Sequence, residues 1–119
     1  MKRLTKTEEQ IMKMIWDNGQ VLVSTLIEQM PEPKPPHSTI SSIVRILEKK
    51  GFVSHKAYGR TYEYFPIVKR EDYSKKSLKE VVTKYFNGSP TSLVSFLIKE
   101  EQVDIKELKE LLENLENNI

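Results

Sequence analysis

The sequence contains 119 residues, of which 38% are apolar and none is cysteine. This length and apolar fraction predict one domain, or a small domain plus an assembly element, and not a disordered chain. The absence of cysteine excludes disulfide frameworks, thiolate metal sites and cysteine nucleophiles, and two isolated histidines favour neither a metal nor a cofactor site. No apolar run approaches 18 residues, so we expect no signal peptide, no membrane insertion and a cytoplasmic protein.

The net charge is only +2, but its distribution along the chain is uneven. Residues 38–60 carry five basic side chains and one acidic side chain, whereas residues 90–119 carry three basic and seven acidic side chains. A protein with one basic end and one acidic end orients in the field of a polyanion. The charge pattern therefore favours a nucleic-acid partner for the basic segment.

The first third of the chain predicts two helices joined by a short extended link. Thr5 to Glu8 forms a capping box that starts the first helix, which Asn18-Gly19 stops. Val21-Leu22-Val23 reads as a short strand, and Ser24 to Met30 as a second helix. The following prolines, in PEPKPP at 31–36, exclude a helix and predict a stiff turn.

The stretch HSTISSIVRILEKKGF, residues 37–52, predicts a third helix. Its apolar residues recur at the spacing of one buried helix face, and we expect these four in the core: Ile40, Ile43, Val44 and Leu47. Its first turns carry four hydroxyl side chains, which form helices less readily than Glu, Lys or Ala. We expect Ser38 to cap the helix and the other hydroxyls to lie on or near its exposed side.

After Gly51 the apolar period changes from 3.6 to 2. Two runs, Phe52–Ala57 and Thr61–Phe65, flank Tyr58-Gly59-Arg60, which predicts a β-hairpin with Gly59 supplying positive φ at its tip. We expect His55 to be a surface strand residue, because a pH sensor needs a carboxylate partner and the sequence does not locate one. The order helix, short strand, helix, turn, helix, hairpin predicts a winged helix-turn-helix, so the fold class is mainly α with a small β-hairpin.

Residues 69–119 predict three short amphipathic helices, which begin near Arg70, Leu93 and Asp104. They carry more apolar side chains than so short a segment buries alone. They either cover the winged domain or pack against a second copy, and we favour the second copy. The predicted domains are a DNA-binding domain at 1–68 and a helical dimerisation domain at 69–119. The predicted seam consists of Leu78, Val82, Tyr85, Phe86, Leu93, Phe96, Leu97, Leu108, Leu111, Leu112 and Leu115.

The helix-turn-helix order predicts that the hydroxyl-rich start of the third helix contacts DNA. In this motif the second helix enters the major groove with its N-terminal residues at the base edges, where short hydroxyls bond phosphates and bases. The predicted DNA-binding residues are Ser38, Thr39, Ser41, Ser42, Arg45 and Lys49 on the helix, and Lys56 and Arg60 in the hairpin. The alternative is structural: serines as caps, lysines as partners of the helix dipole, and a solvated turn.

Four stretches taken together, in order along the chain, resemble the penicillinase repressor family of transcriptional regulators (BlaI/MecI/CopY type). They are LTKTEEQIMKMIWDNG, STISSIVRILEKKGFV, GRTYEYFP and FNGSPTSLVSFLIKEE. The resemblance implies a homodimeric repressor with an N-terminal winged helix that binds a dyad operator and controls β-lactamase-like or related genes. It also implies derepression by a membrane-bound sensor with a zinc metalloprotease domain, which cleaves the dimerisation part.

The resemblance also locates departures from the family pattern. The family often has a basic residue where this chain has Ser41, and an arginine where it has Ile46. Its scissile bond is typically Asn-Phe, and the matching pair here is Ser95-Phe96, the candidate cleavage site. The copper-responsive branch carries a C-terminal cysteine metal site, which this cysteine-free chain lacks.

Three other functions are alternatives to a repressor of this type. An enzyme is disfavoured because the sequence shows no catalytic triad, paired acids or glycine-rich phosphate loop. A winged-helix protein–protein module is supported by the modest net charge and the acidic tail, and the salt dependence of DNA binding separates it from a repressor. A repressor relieved by direct ligand binding is the third alternative.

Overall fold

The computed structural model describes residues 1–100 together with residues 104, 106, 109, 110 and 113. The chain divides into two compact units, Met1–Tyr73 and Ser74–Ile119. The assignment of DNA binding to residues 1–68 and of dimerisation to residues 69–119 stays a prediction. Most of the third predicted amphipathic helix lies outside the described residues, and so do four predicted seam residues: Leu108, Leu111, Leu112 and Leu115. In the part of the chain that the structure describes, no helix combines the length and apolar character that a membrane crossing needs.

The first helix, α1 (Lys6–Asn18), begins as the sequence predicts. The Thr5 hydroxyl accepts a hydrogen bond from the Glu8 amide at 3.2 Å, and the Glu8 carboxylate accepts one from the Thr5 amide at 3.1 Å. The capping box is thereby confirmed, and it satisfies two amides that the start of the helix leaves unpaired. Ile11, Met12 and Ile15 on α1 are buried in the core.

The second and third helices, α2 (Val23–Glu28) and α3 (His37–Lys49), complete the helical part of the core. Burial of Ile40, Val44 and Leu47 confirms the core face predicted for α3, and Ile43 packs against it while half-buried. The fully buried side chains that fill the centre of this core are Met12, Ile15, Leu26, Val44, Leu47, Phe52 and Val53.

The start of α3 differs from the prediction. The N-cap is Pro36, with φ −61° and ψ 146°, and no side chain caps the helix. Proline's ring sets the φ that an N-cap in extended conformation needs, so the helix begins at His37 and Ser38 falls inside its first turn. The prediction that Ser38 caps the helix is therefore wrong, and its exposed hydroxyl remains available to a ligand.

Residues 31–36, the PEPKPP segment between α2 and α3, are anchored by one lysine. The Lys34 ammonium donates hydrogen bonds to the main-chain carbonyls of Ile27, Glu28 and Met30 at 3.2, 3.0 and 2.8 Å. A helix C-terminus leaves its last carbonyls without intrahelical donors, and a cation there also offsets the helix dipole. The lysine thus holds the turn against the end of α2 and fixes where α3 begins.

A three-stranded antiparallel sheet closes the first unit. Its strands are β1 (Val21–Leu22), β2 (Val53–Tyr58) and β3 (Thr61–Pro66), in the order β1-β3-β2. Tyr58 pairs with Thr61, so the hairpin loop has two residues, one fewer than predicted. Gly59, with φ 64°, occupies the first loop position, which in a type II′ turn demands glycine. The helices, short strand and hairpin confirm the winged helix-turn-helix.

An ion pair between half-buried Lys50 and buried Glu8 ties the end of α3 to the start of α1. The Lys50 ammonium bonds the Glu8 carboxylate and also donates to the Arg3 carbonyl at 2.9 Å. The hydrogen bond from Lys50 lowers the pKa of Glu8, although burial of the carboxyl opposes that shift. Lys50 therefore acts within the fold and differs from its exposed neighbour Lys49.

Two further helices follow the winged helix: α4 (Arg70–Tyr85) and α5 (Pro90–Glu100). The first turn of α4 belongs to the first unit, where the Tyr73 ring lies 5.5 Å from Trp16 and 5.7 Å from Phe52. None of the residues of α4 and α5, all of which are described, is buried. Many apolar side chains of this helical part are therefore exposed to solvent in the single chain.

Candidate nucleic-acid interface

One face of α3 is polar, basic and open to solvent. Ser38, Ser42, Arg45 and Lys49 are all exposed and recur at spacings of four, three and four residues, which places them along one line of the helix. This line lies opposite the buried apolar stripe. Thr39 is exposed beside the line, and Ser41 is half-buried on the flank that faces the hairpin.

A groove of about 480 Å³ runs between α3, the start of α2 and the start of β3, and we call it the recognition groove. Its lining residues are Leu22, Val23, Ser24, His37, Ser41, Arg45, Arg60, Thr61, Tyr62 and Tyr64. Three separate segments of the winged helix thus contribute to one concave surface. The groove brings together two of the predicted basic contacts, Arg45 from the helix and Arg60 from the hairpin tip.

The recognition groove is suited to an anion. Its lining contains two guanidinium groups, an imidazole and several hydroxyls, but no carboxylate. Within the described part of the chain, neither Arg45 nor Arg60 forms an ion pair. Guanidinium groups bind phosphate through paired hydrogen bonds, and their charges repel each other unless an anion lies between them. Both side chains are therefore available to a polyanionic ligand.

Lys56 lies elsewhere on the hairpin. The strand register pairs Ala57 with Tyr62, which lines the groove, and pairs Lys56 with Glu63 on the next position. Because successive strand residues face opposite sides of a sheet, Lys56 and Glu63 lie on the side away from the groove. Lys56 is exposed, and the structure does not bring it together with Arg60 in the groove.

The structure places a carboxylate partner beside His55 that the sequence does not locate. Its Nδ1 atom lies 2.6 Å from Oε2 of Glu48, on the last turn of α3. The His55 ring also stacks on Tyr62, with centroids 4.2 Å apart and planes inclined by 16°. Burial raises the pKa of Tyr64, the nearby Glu48 carboxylate raises it further, and Arg45 opposes the shift. These contacts join the end of α3 to the wall of the recognition groove.

Comparison with known proteins decides the family. The sequence matches the family model described as penicillinase repressor over residues 4–117. The chain belongs to the penicillinase repressor family. This confirms the resemblance seen in the sequence motifs. Since the family consists of transcriptional repressors and not of enzymes, the chain is a DNA-binding transcriptional repressor.

Individual relatives align along nearly their whole length. The penicillinase repressor of Bacillus licheniformis is 25% identical over 117 residues, which cover 98% of this chain and 91% of that protein. The methicillin resistance regulatory protein MecI of Staphylococcus aureus (strain N315) is 27% identical over 109 residues, covering 91% and 89%. A crystal structure of a possible transcriptional regulator for arsenical resistance aligns with a TM-score of 0.44 at 19% identity, covering 92% and 88%.

The structure adds residues to this repressor's candidate interface that the sequence did not single out. Ser24, His37, Thr61 and Tyr62 line the recognition groove. The sequence gives little indication of these four residues, because their position in the groove depends on how α2, α3 and β3 pack together. One signal was present: the period-2 alternation of β3 puts Tyr62 on the same face as Tyr64. Ile46 on α3 is also exposed, at 41%, although it is apolar.

The described seam candidates fall into two groups. Leu78, Tyr85 and Phe96 are exposed, at 54%, 69% and 45%. The half-buried members are Val82, Phe86, Leu93 and Leu97. The rings of Phe86 and Phe96 lie 5.6 Å apart, so the residue that follows α4 contacts α5. The predicted cleavage pair Ser95-Phe96 lies inside α5 with both side chains exposed.

Proposed function

We propose that this repressor binds a dyad operator in double-stranded DNA as a homodimer, with α3 in the major groove and the hairpin against the sugar-phosphate backbone. The observation that carries the proposal is the position of Arg45 and Arg60 on one groove beside the exposed polar face of α3. A duplex that enters this groove meets both guanidinium groups, Arg60 at the sugar-phosphate backbone and Arg45 at the base edges, and meets no carboxylate on the groove walls.

The exposed face of α3 matches the dimensions and chemistry of the major groove. From Ser38 to Lys49 the face spans roughly 16 Å at 1.5 Å per residue, and the major groove of B-DNA, about 12 Å wide, admits one helix. The short side chains of Ser38 and Ser42 let the helix start approach base edges closely. Arg45 reaches the O6 and N7 acceptors of guanine, and Ile46 offers an apolar contact to a thymine methyl group.

The homodimer accounts for the exposed apolar side chains of the helical part. Leu78, Tyr85 and Phe96 are large apolar residues exposed in the single chain, and burial of such side chains drives association. A second copy of the chain is the partner that a dyad operator requires, because a two-fold axis in the DNA matches a two-fold axis in the protein. Recognition helices of such dimers lie about 34 Å apart, one turn of DNA.

Derepression is proposed to follow proteolysis between Ser95 and Phe96 by a membrane-bound sensor metalloprotease, and the controlled genes are β-lactamase-like or related genes. Both side chains are exposed, although a protease acts on extended backbone and α5 must unwind locally first. Cleavage there separates part of the predicted seam from the winged helix and weakens dimeric binding.

Intact-mass measurement of the chain from β-lactam-treated cells tests the proposed cleavage. We expect a fragment that ends at Ser95. An uncut chain in cells that transcribe the regulated gene contradicts the proposal.

The binding proposal is tested by a fluorescence titration of a labelled duplex from upstream of the protein's own operon, beside a scrambled duplex, at several salt concentrations. We expect two chains per site, tighter binding to the upstream duplex, and affinity that falls by about 0.9 log units per log unit of salt for each phosphate contact. Equal and weak binding to both duplexes contradicts the proposal and favours a protein–protein module.

A further inference from the structure

One contact joins the recognition helix to the hairpin outside the buried core. The carboxylate of Glu48, on the last turn of α3, accepts a hydrogen bond from Nδ1 of His55 on β2 at 2.6 Å. Both side chains are about 30% exposed, so the bond lies at the edge of the protein where the hairpin leaves the core. Beyond the pairing of Leu22 with Glu63 the hairpin has only two strands, and its tip depends on such contacts because a two-stranded ribbon is at best marginally stable by itself.

The contact continues to the wall of the recognition groove. His55 stacks on the Tyr62 ring with centroids 4.2 Å apart, and Tyr62 lines the groove together with Arg45 and Arg60. Glu48, His55 and Tyr62 thus form a continuous path from the helix to the hairpin. Among residues 54–63, all of which the structure describes, no side chain is buried, so this part of the hairpin contributes no side chain to the buried core.

We propose that Glu48, His55 and Tyr62 are positioning residues for DNA recognition. They hold the hairpin at a fixed distance from α3, so that Arg60 reaches the DNA backbone while Arg45 reaches the bases. This inference rests on the proposed operator binding, in which both arginines contact the same duplex. Fixing the spacing beforehand lowers the entropy that the hairpin loses on binding.

The charge of Glu48 makes the proposal testable, because positioning and simple electrostatics predict opposite results. Glu48 is an acidic residue on the DNA-binding helix, three positions after Arg45. If it acted only through its charge, its removal would strengthen binding to a polyanion. If Glu48 positions the hairpin, its removal weakens binding, because the hairpin then loses more conformational entropy when Arg60 contacts a phosphate.

The experiment compares operator binding by the full chain and by Glu48→Ala, at several salt concentrations, in the wild-type and Arg60→Ala backgrounds. We expect Glu48→Ala to weaken operator binding about tenfold and to lower the salt slope by about one phosphate. In the Arg60→Ala background we expect no further loss, since the two changes remove the same contact. Glu48→Gln keeps an acceptor oxygen for His55, and we expect it to restore most of the affinity.

The control is Glu63→Ala, which removes an equal charge from the side of the hairpin that faces away from the groove and is expected to leave binding unchanged or slightly tighter. His55→Leu is a second variant that breaks the contact from the other partner, and its loss should also depend on Arg60. Unchanged or tighter binding by Glu48→Ala, or an equal loss in the Arg60→Ala background, overturns the inference alone. Failure of the wild-type chain to prefer its operator overturns the proposed function as well.

Discussion

Arg45, in the middle of α3, and Arg60, at the hairpin tip, line the same groove although they belong to different elements of the winged helix. Neither is balanced by an ion pair within the described residues. Other basic residues of the same unit act within the fold: Lys50 pairs with Glu8, and Lys34 closes the end of α2. The distinction between these two sets of cations leads to the first two predictions.

Arg45→Ala is expected to weaken operator binding by about 1–3 kcal/mol and to relax base preference at one position, because a bidentate guanine contact is lost. Competition titrations with duplexes substituted at single positions measure this effect. Arg70→Ala is the matched control, since Arg70 pairs with Asp17 and does not line the groove. Wild-type affinity and base preference in Arg45→Ala would remove this residue from the reading surface.

Arg60→Ala is expected to weaken binding to operator and scrambled duplexes by the same factor, since a phosphate contact carries no sequence information. The salt slope should fall by about one phosphate. Lys56→Ala removes an equal charge from the other side of the hairpin and should change binding less. A loss confined to the operator duplex would show that Arg60 reads bases instead.

Tyr85→Asp is expected to convert the dimer into monomers. The side chain is 69% exposed in the single chain, so the substitution leaves the fold intact but puts a charge into the proposed apolar seam. Sedimentation velocity measures the change in mass. Thr83→Asp adds the same charge to an exposed polar position on another face of α4 and should leave the dimer intact. A dimer of wild-type stability in Tyr85→Asp would place the seam elsewhere.

Stability should fall in acid because of Glu8. Its pKa is lowered in the folded chain, chiefly by the hydrogen bond from Lys50, from an ordinary value of 4.5. A lowered pKa contributes stability that is fully present above pH 4.5 and is lost as the pH falls through the folded value. Thermal unfolding at a series of pH values between 7 and 3 measures this loss.

Lys50→Met should remove much of that acid dependence and cost about 2 kcal/mol at pH 7, because a buried carboxylate loses its hydrogen-bond donor. Lys49→Met is the matched control, since Lys49 is the next residue along the chain, is exposed and does not bond the Glu8 carboxylate. Equal stability profiles for the two variants would contradict the structural function assigned to Lys50.

The sequence predicted those parts of the fold that local chemistry decides. The capping box can be predicted from the spacing of three residues between Thr5 and Glu8, and the buried stripe of α3 can be predicted from the helical period of its apolar residues. The hairpin was predicted because Gly59 interrupts two alternating runs. The N-cap of α3 was predicted two residues late, at Ser38, because Pro36 takes the place of a polar side chain as N-cap.

The sequence could not predict contacts that depend on how elements pack. The hydrogen bond between Glu48 and His55 requires the angle between α3 and β2, and a surface histidine in a strand gives no sign of its partner. The recognition groove requires the start of α2 beside β3, which the pairing of Val21 with Tyr64 establishes. The sequence predicts a set of basic residues on α3, but only tertiary structure separates Arg45, which lines the groove, from Lys50, which pairs with Glu8.

Hydroxyl-radical footprinting of the wild-type chain on DNA from upstream of its own operon tests the central claim most directly. The account predicts two equivalent protected regions related by a dyad and centred about one helical turn apart, both weakened in Arg45→Ala and in Arg60→Ala. A single protected region, or protection that neither substitution changes, would contradict the claim that two copies of this chain read DNA through α3 and the recognition groove.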